Sequence, residues 1–140
     1  MLSLQRALTK VMAALCLSVL LTGAAVAANT KEGFYTTNDG YRIHYIEAGS
    51  GAPLVLIPGW SQAAIQFKYQ IEGLSDKYHV FALDMRGHGD SDKPTHGYRI
   101  HRLSKDVHDF LESRGLSNVT TSPGFRGRFF DPSSGTKFAL

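Results

Sequence analysis

Cysteine is nearly absent from this 140-residue sequence, and the only one, Cys16, lies in an apolar N-terminal segment. Residues 28–140 therefore contain no thiol that can form a disulfide or bind zinc. The six histidines show no His-Glu-x-x-His spacing, so we expect no metal and no cofactor. No stripe of basic residues is interleaved with aromatic residues, which argues against a nucleic-acid partner.

Acidic residues are also absent from the first 27 positions. Arg6 and Lys10 precede the apolar run VMAALCLSVLLTGAAVA, which ends in the small-x-small motif Ala25-Val26-Ala27. This layout is typical of a signal peptide, residues 1–27; the alternative is a membrane anchor, although the apolar run is near the lower length limit for a span. We predict cleavage after Ala27, no stable membrane anchor afterwards, and a secreted or periplasmic protein.

Removal of residues 1–27 lowers the net charge from +3 to +1, because both charges in that segment are positive. The basic character of the whole chain therefore says little about its partners. An exported domain without disulfides must depend on its buried apolar core for stability.

The pattern of apolar residues predicts an α/β fold in residues 28–120. FYTTNDGYRIHYIEAGSG is typical of a β-hairpin that turns at Asn38-Asp39-Gly40. APLVLIPG and YHVFALD are apolar without alternation, which indicates strands covered on both faces of a parallel sheet. Amphipathic helices are predicted at residues 62–76 and around residues 103–111, and the second helix ends at Gly115. The stretch SNVT is predicted to begin a further strand. This order predicts right-handed crossovers between parallel strands.

The C-terminal segment breaks this pattern. Residues 121–140, TSPGFRGRFFDPSSGTKFAL, contain half of the eight phenylalanines among Gly, Pro and Ser, with neither strand nor helix periodicity. We therefore predict a partial domain over residues 28–120 and an unstructured or aberrant tail over residues 121–140.

Two motifs, PLVLIPGW and then VFALDMRGHGDSDKP, carry the strongest functional signal, and GYRIHRLSKDVHDFLESRGLSNVT follows them. In this order they resemble the N-terminal part of an α/β-hydrolase fold protein from about Phe34 to Thr120, and DMRGHGDSDKP is the most specific part. The resemblance implies the N-terminal portion of an α/β-hydrolase sheet, a hairpin plus parallel strands with crossover helices, which is incomplete in this chain.

The stretch GWSQA, which begins at Gly59, approximates the Gly-x-Ser-x-Gly turn that presents a catalytic serine. Ser61 precedes the Arg-Gly-His-Gly loop, however, whereas the family's nucleophile follows the next strand. The resemblance therefore assigns Gly59, Trp60 and Ser61 to the oxyanion loop, residues 59–61, in which Trp60 supplies the backbone N–H. Pro58 stands where the family commonly has His, so an imidazole that braces this loop is lost.

The loop after the second buried strand, which we call the Arg86 loop (residues 84–92), is expected to be structural. We expect this loop to be braced by its own residues Asp84, Arg86, Gly87, His88, Gly89 and Asp90.

The sequence leaves two hypotheses for function. No Gly-x-Ser-x-Gly occurs in the 140 residues, and a complete fold of this kind needs roughly 200–250 residues. The first hypothesis is an exported serine hydrolase for an ester or similar small acyl substrate, cut short by truncation or frameshift and therefore inactive as this chain. The alternative is a non-enzymatic exported binding module. In both cases an unpaired edge at residues 54–57 and an uncovered sheet face predict self-association.

Overall fold

The computed structural model describes residues 29–123 and 137–138. The predicted signal peptide, and residues 124–136 and 139–140 of the predicted tail, lie outside this part of the chain. None of the helices in the described part is long and apolar enough to cross a membrane. The elements follow one another along the chain as β1 (Lys31–Thr36), β2 (Arg42–Ala48), β3 (Ala52–Ile57), a 3₁₀ helix (Ala64–Phe67), α1 (Lys68–Leu74), β4 (Tyr78–Leu83), α2 (Ile100–Ser113), β5 (Thr120–Pro123) and β6 (Lys137–Phe138).

The strands form one mixed sheet in the order β1-β2-β4-β3-β5-β6. β1 and β2 are an antiparallel hairpin in which Lys31 lies opposite Glu47 and Thr36 lies opposite Arg42. β4 is antiparallel to β2 and parallel to β3. The hairpin and the two parallel strands that the sequence predicts are therefore present, and Gly40 takes the left-handed φ of +89° that its turn requires.

Both faces of β3 and β4 are buried, which explains why their sequences are apolar without alternation. One face shares a buried cluster with α2 that includes Val55, Ile57, Phe81, Leu83, Leu103, Val107 and Phe110. The other face shares a cluster with the 3₁₀ helix and α1 that includes Leu54, Leu56, Val80, Ala82, Ala64 and Ile71. The expectation of an uncovered sheet face is therefore wrong for these two strands.

The helix predicted at residues 62–76 is divided into the 3₁₀ helix and α1. Ala63 is extended, with φ of −119°, and its side chain makes no capping hydrogen bond. Instead the Ala64 N–H donates to the Asp84 carboxylate at 2.5 Å, so a residue at the end of β4 determines where the helical segment begins. A contact over this distance in sequence leaves no local signal.

β5 adds a strand beside β3 and changes the expected edge of the sheet. The two strands are parallel, with Leu54 opposite Thr120 and Ile57 opposite Pro123. The prediction that residues 54–57 form an unpaired edge is therefore wrong, because β3 has a hydrogen-bonded neighbour on each side. β5 continues three residues past the predicted tail boundary at Thr120, and β6 pairs with it in parallel.

Candidate functional site

Two loops lie side by side at the carboxyl ends of β3 and β4. The oxyanion loop follows β3, and the Arg86 loop follows β4. Because β3 and β4 are parallel neighbours, their carboxyl ends meet at one edge of the sheet, which is where α/β proteins place their ligands. The structure therefore brings the two sets of residues singled out in the sequence into one place.

The oxyanion loop is a tight turn closed by its own hydrogen bonds. The Gly59 N–H donates to Oε1 of Gln62 at 2.9 Å, and the Gln62 N–H donates back to the Gly59 carbonyl at 3.2 Å. Ser61 has a φ of +64°, in the left-handed region that residues other than glycine rarely adopt. The turn thus has a defined shape that needs support from outside the loop.

That support includes His88 of the Arg86 loop. The Ser61 N–H donates to Nε2 of His88 at 3.0 Å, and Nδ1 of the same ring lies 3.0 Å from the Arg86 carbonyl oxygen. Pro58 itself has no imidazole, but His88 of the neighbouring loop provides one that contacts the oxyanion loop. The sequence identified both Ser61 and His88 as residues of interest, but it did not indicate that they contact each other.

Trp60 projects from the oxyanion loop beside an apolar pocket. Its side chain is 53% exposed, and its ring lies edge-on to His88 at 5.1 Å and to Tyr98 at 6.2 Å between centroids. Among the hydrogen bonds of residues 29–123, none has the Trp60 N–H as donor. The other residues that line the pocket are Ile57, Pro58, Gly59, Met85, His88 and Leu103.

Asp84 is the buried carboxylate that joins the two loops to the hairpin. Its Oδ1 accepts the Ala64 N–H, and its Oδ2 accepts the Asp90 N–H and a hydrogen bond from Nδ1 of His44, both at 2.9 Å. Gly89 has a φ of +51°, and a Cβ at this position would collide with the Asp84 carboxylate. Asp84 and Gly89 therefore lie in close contact within the fold, and Asp84 joins the two loops.

Arg86 anchors its loop to α2 and to the hairpin turn. Its guanidinium is fully buried and donates to both carboxylate oxygens of Asp106 and to Asp39, each at 2.8 Å. Desolvation alone would lower the pKa of this guanidinium, but the hydrogen bonds to Asp106 and Asp39 raise it, so the group stays charged. The hydrogen bond from Arg86 in turn lowers the pKa of Asp39 well below its usual range.

Asp106 is a site residue that the sequence reasoning missed. It is 1% exposed and lies on the apolar face of α2, three residues after Leu103 and four before Phe110. A buried carboxylate requires a charged or hydrogen-bonding partner. Its position within the apolar stripe of α2 was therefore a signal that a cation such as Arg86 would contact it.

Two groups in the described residues have ligand atoms close enough to hold a metal ion: His44, Asp84 and Asp90, and His108, Asp109 and Glu112. In the first group the Asp84 oxygens already accept three hydrogen bonds. In the second, Asp109 accepts hydrogen bonds from Lys105, Arg102 and the Asn38 N–H. Contacts within the fold thus explain both groups.

The arrangement provides a backbone N–H donor and does not provide a nucleophile with its base. In the described part of the chain the Ser61 hydroxyl has no hydrogen bond to a histidine, and Nε2 of His88 is occupied by the Ser61 N–H. A serine nucleophile requires a base within hydrogen-bond reach of its hydroxyl. The geometry therefore favours a supporting role for Ser61.

Comparison with known proteins agrees with this fold. The model of the alpha/beta hydrolase fold family matches residues 52–122, which is half of the chain. The protein therefore belongs to the α/β-hydrolase fold family, and the predicted fold class, the N-terminal portion of such a sheet, is confirmed.

Three relatives show how much of the fold this chain represents. It is 41% identical over 81 residues to the soluble epoxide hydrolase of Corynebacterium sp. (strain C12), covering 58% of this chain and 28% of that protein. It matches the ligand-free structure of the epoxide hydrolase CorEH with a TM-score of 0.64 and 36% identity, over 67% of this chain and 33% of that one. The esterase EaEST from Exiguobacterium antarcticum gives a TM-score of 0.62 and 33% identity, over 64% and 34% of the two chains. The chain thus spans about a third or less of these relatives.

Proposed function

We propose that this chain forms the N-terminal part of an exported hydrolase that adds water to a small molecule, with an epoxide as the substrate class. The substrate class is supported by the named relatives, a soluble epoxide hydrolase and CorEH. An ester or similar acyl compound is the second candidate, supported by the 33% identity to the esterase EaEST.

The observation that carries this proposal is the position of the Trp60 N–H. It lies at the carboxyl end of β3, beside an apolar pocket, and no acceptor in residues 29–123 receives it. Negative charge develops on oxygen when an epoxide C–O bond breaks and when an ester carbonyl is attacked. A fixed N–H directed at that oxygen stabilises the transition state in a site that excludes water.

The remaining chemistry belongs, in this proposal, to residues that follow β5 in the complete enzyme. A side-chain nucleophile, serine in the case of an ester, would attack the substrate, and a histidine oriented by an acid would activate water. The 140 residues contain no Gly-x-Ser-x-Gly to present a serine nucleophile. We therefore propose that this chain by itself is inactive.

Export is the part of the proposal that depends on residues 1–27. Two basic residues, an apolar run and Ala25-Val26-Ala27 together support a cleaved signal peptide. The mature protein would then be secreted or periplasmic.

A chimera tests the enzymatic proposal. Residues 29–123 replace the matching segment of the soluble epoxide hydrolase of Corynebacterium, and turnover of a small epoxide and of p-nitrophenyl acetate is measured. We expect epoxide turnover by the chimera and only background rates from the 140-residue chain. A chimera that melts cooperatively but turns over neither compound would contradict the proposal, and turnover of the ester alone would favour the second candidate.

A further inference from the structure

We infer that His88 is the positioning residue of the oxyanion loop: its imidazole accepts the Ser61 N–H, which leaves the Trp60 N–H as the donor that the loop presents. The catalytic meaning of this inference rests on the proposed function. The contacts that support the inference do not depend on that function.

The two neighbours of the ring determine which tautomer His88 adopts. The Arg86 carbonyl oxygen, 3.0 Å from Nδ1, can only accept a hydrogen bond, so Nδ1 carries the proton. The Ser61 N–H, 3.0 Å from Nε2, can only donate, so Nε2 presents its lone pair. A protonated imidazolium would place two N–H groups against each other and break this contact. His88 therefore holds the loop only in its neutral form.

The ring is held firmly by the Arg86 loop. The His88 N–H donates to the Met85 carbonyl at 2.9 Å, and the His88 carbonyl accepts the Ser91 N–H at 3.1 Å. Arg86, whose carbonyl receives Nδ1–H, is itself fixed through its buried guanidinium to Asp106 of α2. A continuous series of contacts therefore runs from α2 through the Arg86 loop to the oxyanion loop.

The oxyanion loop needs such a contact because of its backbone. Ser61 has a left-handed φ of +64°, and Pro58 offers neither a backbone N–H nor an imidazole. Trp60, between them, has its ring edge-on to His88. Loss of the His88 contact would therefore allow residues 59–61 to relax and move the Trp60 N–H.

The surroundings of His88 leave a positive charge on its ring without a partner. The side chains that line the pocket with it are apolar, and Tyr98 packs against Trp60. Lys93, next to this loop, donates to the Gly89 carbonyl, and the Arg86 guanidinium faces Asp106 and Asp39. The carboxylates of this loop are Asp84, Asp90 and Asp92, and in the described residues none of them is hydrogen-bonded to His88. These surroundings therefore suit the neutral tautomer that the two ring contacts define.

Trp60 is the only tryptophan in the chain and reports directly on this contact. The test compares the 140-residue chain with three variants: His88→Gln, whose amide oxygen can accept the Ser61 N–H; His88→Leu, which has no acceptor; and His101→Gln, an exposed control on α2. Amide exchange at Ser61 is followed by mass spectrometry at neutral pH. Trp60 fluorescence is recorded for each variant at the same neutral pH.

We expect Ser61 exchange to be about tenfold faster in His88→Leu, as for the loss of one hydrogen bond, and close to that of the unchanged chain in His88→Gln. Trp60 emission should differ from that of the unchanged chain in His88→Leu, which loses the ring contact with Trp60, and should match it in His101→Gln. Equal Ser61 exchange in a cooperatively folded His88→Leu would overturn the inference. If His88→Leu does not fold, the result for His88→Gln is decisive, and fast Ser61 exchange in that variant would overturn the inference. None of these measurements requires catalysis, so failure of the proposed hydrolase activity would not affect them.

Discussion

Replacing Asp106 with asparagine should strongly destabilise the protein, because it removes the main counter-charge of a fully buried arginine. Arg86 is 0% and Asp106 1% exposed, and two hydrogen bonds of 2.8 Å join them. Asparagine keeps one acceptor and turns an N–H₂ group towards the guanidinium. The charge of Arg86 is then balanced only by Asp39, whose side chain is 32% exposed.

Breaking a buried ion pair by removing one partner costs about 3–5 kcal/mol. The remaining contact with Asp39 places the expected loss of unfolding free energy near the lower value, at about 3 kcal/mol. For a domain of this size each kcal/mol lowers the Tm by about 4–8 °C, so the Tm should fall by about 12 °C or more.

Thermal unfolding followed by circular dichroism measures this effect. Glu112→Gln is the matched control, since it removes an exposed carboxylate from the same helix and should change the unfolding free energy by less than about 0.5 kcal/mol. The double variant Arg86→Met with Asp106→Leu should be more stable than Asp106→Asn, because it leaves no buried charge without a partner. A Tm for Asp106→Asn equal to that of Glu112→Gln would show that Arg86 does not need Asp106 as its counter-charge.

Three further predictions concern acid, export and association. The hydrogen bond from Arg86 lowers the pKa of Asp39. The ionised Asp39 side chain therefore stabilises the fold above the pKa of an unfolded aspartate, about 3.9, and this stabilisation is lost as the pH falls below that value. Urea midpoints at about pH 6 and pH 3 should differ less in Asp39→Asn than in the unchanged chain, and an equal difference would be evidence against this pair. N-terminal sequencing of the exported protein should begin at Ala28, whereas an intact Met1 in the membrane fraction would contradict the signal peptide. Residues 28–140 should self-associate on size exclusion, since in the described residues β6 pairs β5 at Thr120 and Thr121 alone; a monodisperse monomer with a cooperative melt would favour the binding-module alternative.

The elements of the fold were predictable where the signal is local. The hairpin turn contains Asp39-Gly40, β3 and β4 are apolar runs, and α2 repeats apolar residues at helical spacing. Each of these patterns lies within a few residues of the chain, and each corresponds to an element of the structure.

The features that sequence reasoning missed depend on contacts between distant residues. The strand that SNVT begins was predicted, but its pairing with β3 depends on the register that places Thr120 opposite Leu54. The 3₁₀ helix begins where Ala64 meets Asp84. The His88 contact with Ser61 crosses 27 positions and joins two loops, so no pattern within either loop reveals it. Only Asp106, a carboxylate in an apolar stripe, offered a usable sequence signal.

The most direct test of the central claim, that residues 59–61 present the Trp60 N–H to the reacting oxygen, replaces Trp60 with proline in the chimera. Proline has no backbone N–H, whereas the control Trp60→Phe retains it. We expect kcat of Trp60→Pro to fall by about 10²–10³-fold relative to Trp60→Phe, as for loss of an oxyanion donor, while both variants melt at similar temperatures. Equal kcat values for two folded variants would contradict it.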